Sequence, residues 1–130
     1  MIYVFLAEGF EETEAIAPID LLRRSGRNVI TVGVGNKTIK GSHGIPVTAD
    51  ITAEEISLTD ELEMIVLPGG MPGTINLEKS EYVQSAIDYC VKNRKFIAAI
   101  CAAPSILGHK GLLNAKEATC FPGFENALEG

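Results

Sequence analysis

The chain has 130 residues, a length that suits one domain and leaves little room for two. Apolar residues make up 46% of it and charged residues 22%, the balance of a globular rather than a disordered protein. Eleven basic side chains against 17 acidic ones give a net charge of −6, and with no Lys/Arg block this argues against nucleic acid or an anionic membrane as partner, since both call for a clustered basic surface.

In chain order, Ile2–Leu6 is a continuous apolar run, as expected of a strand buried on both faces. No basic residue precedes it and Glu8 soon follows, so it does not read as a secretory signal. The acidic stretch Glu8–Glu14 leads into a helix over Ala15–Ser25, with Ile16, Ile19 and Leu22 near helical spacing and Gly26 as the stop. Pro18 inside that helix predicts a local kink or a late start. Val29–Val34 reads as a second strand. Lys37–Lys40 and Ile45–Thr48, separated by Gly41-Ser42-His43-Gly44, read as the two arms of a hairpin. Thr52–Ile56 is either one helical turn or a connection. Met64–Leu67 is another buried strand, followed by Pro68-Gly69-Gly70-Met71-Pro72-Gly73. Tyr82, Val83, Ala86, Ile87, Cys90 and Val91 then line one face of the clearest helix, with Glu81, Gln84, Asp88 and Lys92 facing away.

Phe96–Ile100 is a strand that runs directly into Cys101, and a short helix from Ala103 to about His109 follows. The nearly apolar stretch Phe96–Gly108 is interrupted by Pro104 and falls short of the roughly 18–20 residues needed to cross a bilayer. Ala118–Phe121 reads as a last strand and Phe124–Leu128 as a helix start. Alternating strands and helices, with strands that are apolar throughout, predict a mostly parallel α/β sheet covered on both faces.

In such a sheet ligands bind beyond the carboxyl ends of the strands. Three segments fall there: Glu8–Glu14, Pro68–Gly73 and Cys101–Pro104. The glycine segment lacks the Lys-Ser/Thr of a P-loop and the GxGxxG of a dinucleotide fold. Its glycines serve a tight turn of positive φ, or let a backbone N–H approach a developing negative charge.

Ala99-Ile100-Cys101-Ala102-Ala103-Pro104 has the small residues of a nucleophile elbow, with alanines in place of the usual glycines. A thiol at a helix N-terminus is expected to have a pKa below the free value of about 8.5. The competing reading is a buried structural cysteine. Cys90 falls on an apolar helix face and reads as core, while Cys120 stays undecided. Three cysteines without CxxC spacing argue against a disulfide framework or a zinc site and favour a reducing cytoplasm.

Glu11, Glu12 and Glu14 are favoured in a first helical turn by the helix dipole. Glu14 could instead point into the sheet-end pocket as a general acid/base. The histidines make poor partners for the thiol. His109, eight residues after Cys101, lies about 12 Å along a continuous helix, and His43 sits in the hairpin turn.

Taken together, Ala7-Glu8-Gly9-Phe10-Glu11-Glu12-Thr13-Glu14, Pro18–Gly26, Val66-Leu67-Pro68-Gly69-Gly70 and Ala98-Ala99-Ile100-Cys101-Ala102-Ala103-Pro104 resemble the DJ-1/ThiJ/PfpI superfamily, in its DJ-1-like branch. The resemblance covers essentially the whole chain, and its specificity lies in the joint spacing. It implies a flavodoxin-like α/β sandwich, a homodimer, no cofactor and no metal. It implies Cys101 as the nucleophilic, oxidation-prone thiol, Glu14 as the acid beside it, and the backbone N–H groups of Gly70 and Ala102 as an oxyanion pocket.

The implied activity is cofactor-independent glyoxalase or deglycase chemistry on small α-oxoaldehydes or glycated substrates, with a stress-response role. Three alternatives accompany it: a redox-sensing, chaperone-like protein with an oxidisable Cys101, an intracellular cysteine protease or amidase of the PfpI type, and an inactive structural homologue. Two departures from the family pattern stand out. Phe121, before Pro122, occupies the place where some relatives carry a histidine, and His43 occupies a hairpin position where relatives often place an arginine.

Relatives also normally continue past the equivalent of Gly130, with another helix and part of the sheet. The expectation is a single domain, 1–130, lacking its C-terminal helix and last sheet elements. The remainder would then be lost or supplied by a second chain, and one apolar sheet face would be left uncovered.

Overall fold

The computed structural model describes residues 1–129. Its elements run β1 (Ile2–Ala7), α1 (Glu12–Arg24), β2 (Val29–Val34), β3 (Thr38–Lys40), β4 (Pro46–Thr48), β5 (Ile51–Thr52), β6 (Met64–Leu67), α2 (Gly73–Lys79), α3 (Glu81–Lys92), β7 (Phe96–Ala99) and α4 (Pro104–His109). Single 3₁₀ turns occupy Ala53–Glu55 and Glu125–Leu128.

β1 is buried at all six positions, and its alternating side chains divide the core in two. Tyr3, Phe5 and Ala7 join Ile65 and Leu67 of β6 and the inner faces of α2, α3 and α4, through Leu77, Val83, Ala86, Ile87, Cys90 and Ile106. Ile2, Val4 and Leu6 join Val66, Ala15 and Ile19 of α1, and Ile39 of the hairpin. Helices therefore cover both faces of one five-stranded sheet of order β5-β2-β1-β6-β7, in which every pair is parallel. β3 and β4 form a separate antiparallel hairpin, with Ile39 opposite Val47. This is the α/β architecture expected from the alternation of strands and helices.

The structure corrects several local expectations. α1 starts at Glu12, three residues earlier than its apolar spacing suggests, because the Glu11 carboxylate caps it by accepting the Glu14 N–H at 2.9 Å. Pro18 sits inside the helix, so it does not delay the start. α2 had no strong sequence signal, since it is seven residues long and opens on Gly73. Ala118–Phe121 is not a strand. It lies against the end of β7 through the Phe121 N–H, which donates to the Cys101 carbonyl at 2.8 Å. The turn Glu125–Leu128 packs onto α4 where Gly108 has no side chain, and a Cβ there would collide with the Ala127 carbonyl.

On the α1 side of β7, among the described residues, the sheet is only partly covered. Phe96 is 75% exposed, Leu21 65% and Ile100 49%. Leu21 and Ile100 line an apolar groove of about 460 Å³ together with Pro18, Leu22, Met64, Val66, Ala98 and the Glu14 side chain. Among the described residues no helix is long and apolar enough to cross a membrane.

Candidate active site

The chain turns from β7 into α4 within four residues. Ile100 still donates to the Leu67 carbonyl at 3.3 Å as part of the sheet, and the Ala103 N–H already returns to the Ile100 carbonyl at 3.0 Å. The hinge is Cys101, which adopts φ 64. A non-glycine residue rarely occupies that left-handed region unless its surroundings hold it there. Ala102 and Ala103 beside it are both buried. Pro104 at the start of α4 presets the helical φ and needs no N–H acceptor. This is the sharp strand-to-helix turn expected from the small residues around Cys101.

The second wall is Pro68-Gly69-Gly70. A Cβ on Gly69 would stand 2.6 Å from Glu14 Oε1, 2.8 Å from Cys101 Cβ and 2.9 Å from the Ile100 carbonyl. Those distances bring Glu14, Gly69 and Cys101 into mutual contact. Gly70 has φ 93, and its flat face lies against the Glu11 N–H. Its own N–H donates to no protein acceptor among the described residues.

The third wall is the start of α1. Glu14 Oε1 accepts the Gly69 N–H at 2.9 Å, and the Glu11 N–H donates to the Gly69 carbonyl at 2.9 Å. These bonds fasten the first helical turn to the glycine loop and fix where the Glu14 carboxylate points.

The electrostatics of the thiol run opposite to the expectation from its place before a helix. Burial pushes the Cys101 thiol above its ordinary pKa, and the Glu14 carboxylate raises it further, as a hydrogen-bond acceptor and as a negative charge. The Ala102 N–H stabilises the thiolate but is outweighed, and the charge of Glu11 adds to the upward push. α4 is only six residues long and starts three positions later, so its dipole does not reverse this. Burial and the neighbouring Glu14 side chain thus both disfavour the thiolate of Cys101.

Glu12 is the residue that the sequence reading passed over. Its carboxylate is buried and accepts the His43 N–H at 2.9 Å, the Ile45 N–H at 3.3 Å and the Ser42 hydroxyl at 3.4 Å, with His43 Nδ1 at 3.1 Å. Burial raises its pKa, but the hydrogen bonds prevail and hold the carboxyl at about 2. Gly41 makes this possible, since a Cβ there would run into the Glu12 carboxylate. In sequence Glu12 looks like any first-turn acid, and only the glycine-rich hairpin turn 29 residues later hints at its partner.

Glu11, Glu12 and His43 bring three potential ligand atoms within 4.8 Å of one another. Glu12 is already filled by N–H donors and Glu11 caps α1, so the cluster serves as a structural joint. His109 pairs with Glu78 and His43 with Glu12, so both imidazoles are engaged away from the thiol. Cys90 is core, its thiol pushed up to about 11 by burial that the Lys95 charge only partly offsets. Cys120 is half-buried in the irregular segment after α4.

Comparison with known proteins matches residues 1–130 to the DJ-1/PfpI family. Protein DJ-1 homolog B of Arabidopsis thaliana is 37% identical over 126 residues, which cover 95% of this chain and 28% of that protein. A deglycase of Pyrococcus abyssi is 31% identical over 131 residues, covering 98% of this chain and 75% of the relative. Among solved structures, an oxidised Toxoplasma gondii DJ-1 superposes with a TM-score of 0.91 at 32% identity, covering 97% of this chain and 69% of the other. The chain thus spans just over a quarter of the plant relative, and about two thirds to three quarters of the other two.

Proposed function

The chain belongs to the DJ-1/PfpI family, and on that premise we propose that it is a cysteine-dependent, cofactor-independent enzyme of the glyoxalase or deglycase type, acting on α-oxoaldehydes through Cys101 and Glu14. The observation that carries this reading is the meeting of Cys101 and Glu14 at Gly69, with the Glu14 side chain fixed by the Gly69 N–H. Relatives that bear the name deglycase support the chemical class.

The sequence of steps follows from that pair. Glu14 takes the thiol proton as sulfur adds to the aldehyde carbon and returns it to the resulting oxyanion, giving a hemithioacetal and restoring the carboxylate. The Gly70 and Ala102 N–H groups are the donors that this reading assigns to the oxygen that becomes negative. Glu14 then carries a proton from the former aldehyde carbon to the adjacent carbonyl carbon through an enediol, leaving a thioester. Water hydrolyses the thioester, releasing a 2-hydroxy acid and restoring the thiol. The net change is addition of one water to the oxoaldehyde, with no external oxidant or reductant. A homodimer in the cytoplasm is the setting that this reading carries with it.

The test is turnover of a neutral oxoaldehyde such as methylglyoxal, followed as loss of the dicarbonyl and formation of the hydroxy acid. Cys101→Ser is expected to abolish turnover while the fold, read by circular dichroism, persists. Full turnover by that variant would refute the mechanism. A second reading, redox sensing by Cys101, draws on the oxidised Toxoplasma relative. Mild peroxide followed by intact mass separates the two, because oxygen addition at Cys101 together with negligible oxoaldehyde turnover would favour the sensor. Among the described residues the protease reading has no Cys–His pair to support it, since His43 pairs with Glu12 and His109 with Glu78.

A further inference from the structure

The segment after α4 brings the backbone of a second cysteine to the end of β7. Residues 114–121 belong to no helix or strand, and among the described residues one hydrogen bond ties them to the sheet, from the Phe121 N–H to the Cys101 carbonyl at 2.8 Å. The peptide unit that donates this bond is shared by Cys120 and Phe121, so covalent geometry bounds the separation of the two cysteines. With standard bond lengths and a straight N–H···O bond, the Cα atoms of Cys101 and Cys120 stand within about 6 Å of each other. Disulfides join Cα atoms about 4.4–6.8 Å apart.

Both thiols are free and half-buried, whereas Cys90 is buried in the core. Residues 114–119 are all exposed, and the segment is flanked by Gly111 and Gly123, each at positive φ with open space where a side chain would be. Little packing therefore resists the side-chain rotation and small backbone shift that would bring the sulfurs together.

We propose that Cys120 is the resolving partner of Cys101, and that peroxide joins the two in a reversible disulfide within the chain. The inference rests on Cys101 being the reactive thiol of the site and is independent of oxoaldehyde turnover. One oxygen of hydrogen peroxide passes to one sulfur, giving a sulfenic acid, and the other leaves as water. The second thiol attacks that sulfur and expels its oxygen as a second water. Two thiols and one peroxide thus become one disulfide and two waters, and a dithiol reductant reverses the change. While the bond stands, Cys101 can neither add to a carbonyl nor advance to the sulfinic acid. In a reducing compartment such a pair is a transient, sensing disulfide rather than a structural one.

The test treats the reduced full chain with a small excess of hydrogen peroxide, blocks remaining thiols with iodoacetamide, and maps peptides by mass spectrometry without reduction. A linked peptide pair containing Cys101 and Cys120 is expected, with the intact mass lower by two hydrogens, Cys90 still reduced, and the starting mass restored by dithiothreitol. Cys120→Ser should abolish the link and raise oxygen addition at Cys101 several-fold. Circular dichroism of that variant checks that the fold persists. Oxygen accumulating on Cys101 while Cys120 stays reduced overturns the proposal, as does linkage of Cys120 to Cys90 or to another chain, or peroxide leaving both thiols unchanged. Methylglyoxal turnover is measured separately on the reduced protein. Its absence with the link formed would refute the enzymatic reading alone, and its presence without the link would refute only the pairing.

Discussion

At the scale of single residues, the site depends on two different uses of glycine. Gly70 is required for its positive φ, whereas Gly69 is required for space, because Glu14, Cys101 and the Ile100 carbonyl all converge where its side chain would be. Gly69→Ala is therefore expected to force Glu14 and Cys101 apart and to cost about 1–3 kcal/mol of stability through overpacking. Thermal unfolding and turnover should both register the change. Glu14→Gln tests the thiol's electrostatics with a clear sign. Glu14 raises the Cys101 pKa, so its removal should increase the thiolate fraction at pH 7 and quicken alkylation by iodoacetamide. The same change should lower oxoaldehyde turnover by about 10²–10⁴-fold through loss of the acid/base group. Faster alkylation with slower turnover would separate a proton-transfer role from a structural one, and slower alkylation would contradict the charge assignment.

Between elements, the joint that matters is the one holding the β3–β4 hairpin to the start of α1. The Glu12 carboxylate is the hub, and the Ser42 N–H adds a bond to the Phe10 carbonyl at 2.7 Å. Glu12 has a carboxyl pKa lowered from 4.5 to about 2. Its ionised form is thus preferred in the folded state, and the stability it contributes is fully present above pH 4.5 and is lost as the pH falls through about 2. Amide hydrogen exchange at His43 and Ile45, corrected for the intrinsic rate, should accelerate across that acid window while the β1 amides stay protected. Glu12→Gln should bring the same loosening at neutral pH and lower the Tm.

This joint shows where sequence reading stops. β1, β2, β6 and α3 were legible because each announces itself through a local apolar run or a helical stripe. α2 and β5 were not, being seven and two residues long and stabilised by what they pack or pair against. Glu12 could not be told from Glu11 or Glu14, because its role is set by a turn distant in the chain. Ala118–Phe121 has strand-like composition, yet it meets the sheet at the left-handed Cys101, where the ladder cannot continue in register.

On the scale of the whole molecule, the parallel sheet is what turns three separate sequence segments into one site. β1, β6 and β7 all end at the same edge, so Glu14, Gly69 and Cys101 meet although dozens of residues separate them. That convergence was readable from the parallel strand direction implied by alternation, and the position of the thiol was readable from its small neighbours. The thiol's raised pKa was not, because it depends on burial and on where two carboxylates point, which only packing determines.

The same sheet leaves its most exposed apolar surface on the α1 side of β7, next to the site rather than across the molecule from it. A contiguous groove bordered by Leu21 and Ile100 is the kind of surface that marks interaction or aggregation. The chain is expected to bind the dye ANS in its native state, with a rise and blue shift of the emission. Leu21→Asp sits on the exposed outer part of the groove and should weaken that binding without lowering the Tm appreciably. Ile16→Asp, at another exposed position of α1 that does not line the groove, should leave it unchanged. If both substitutions reduce the signal equally, the dye is reporting general loosening of α1, and the groove is not its site.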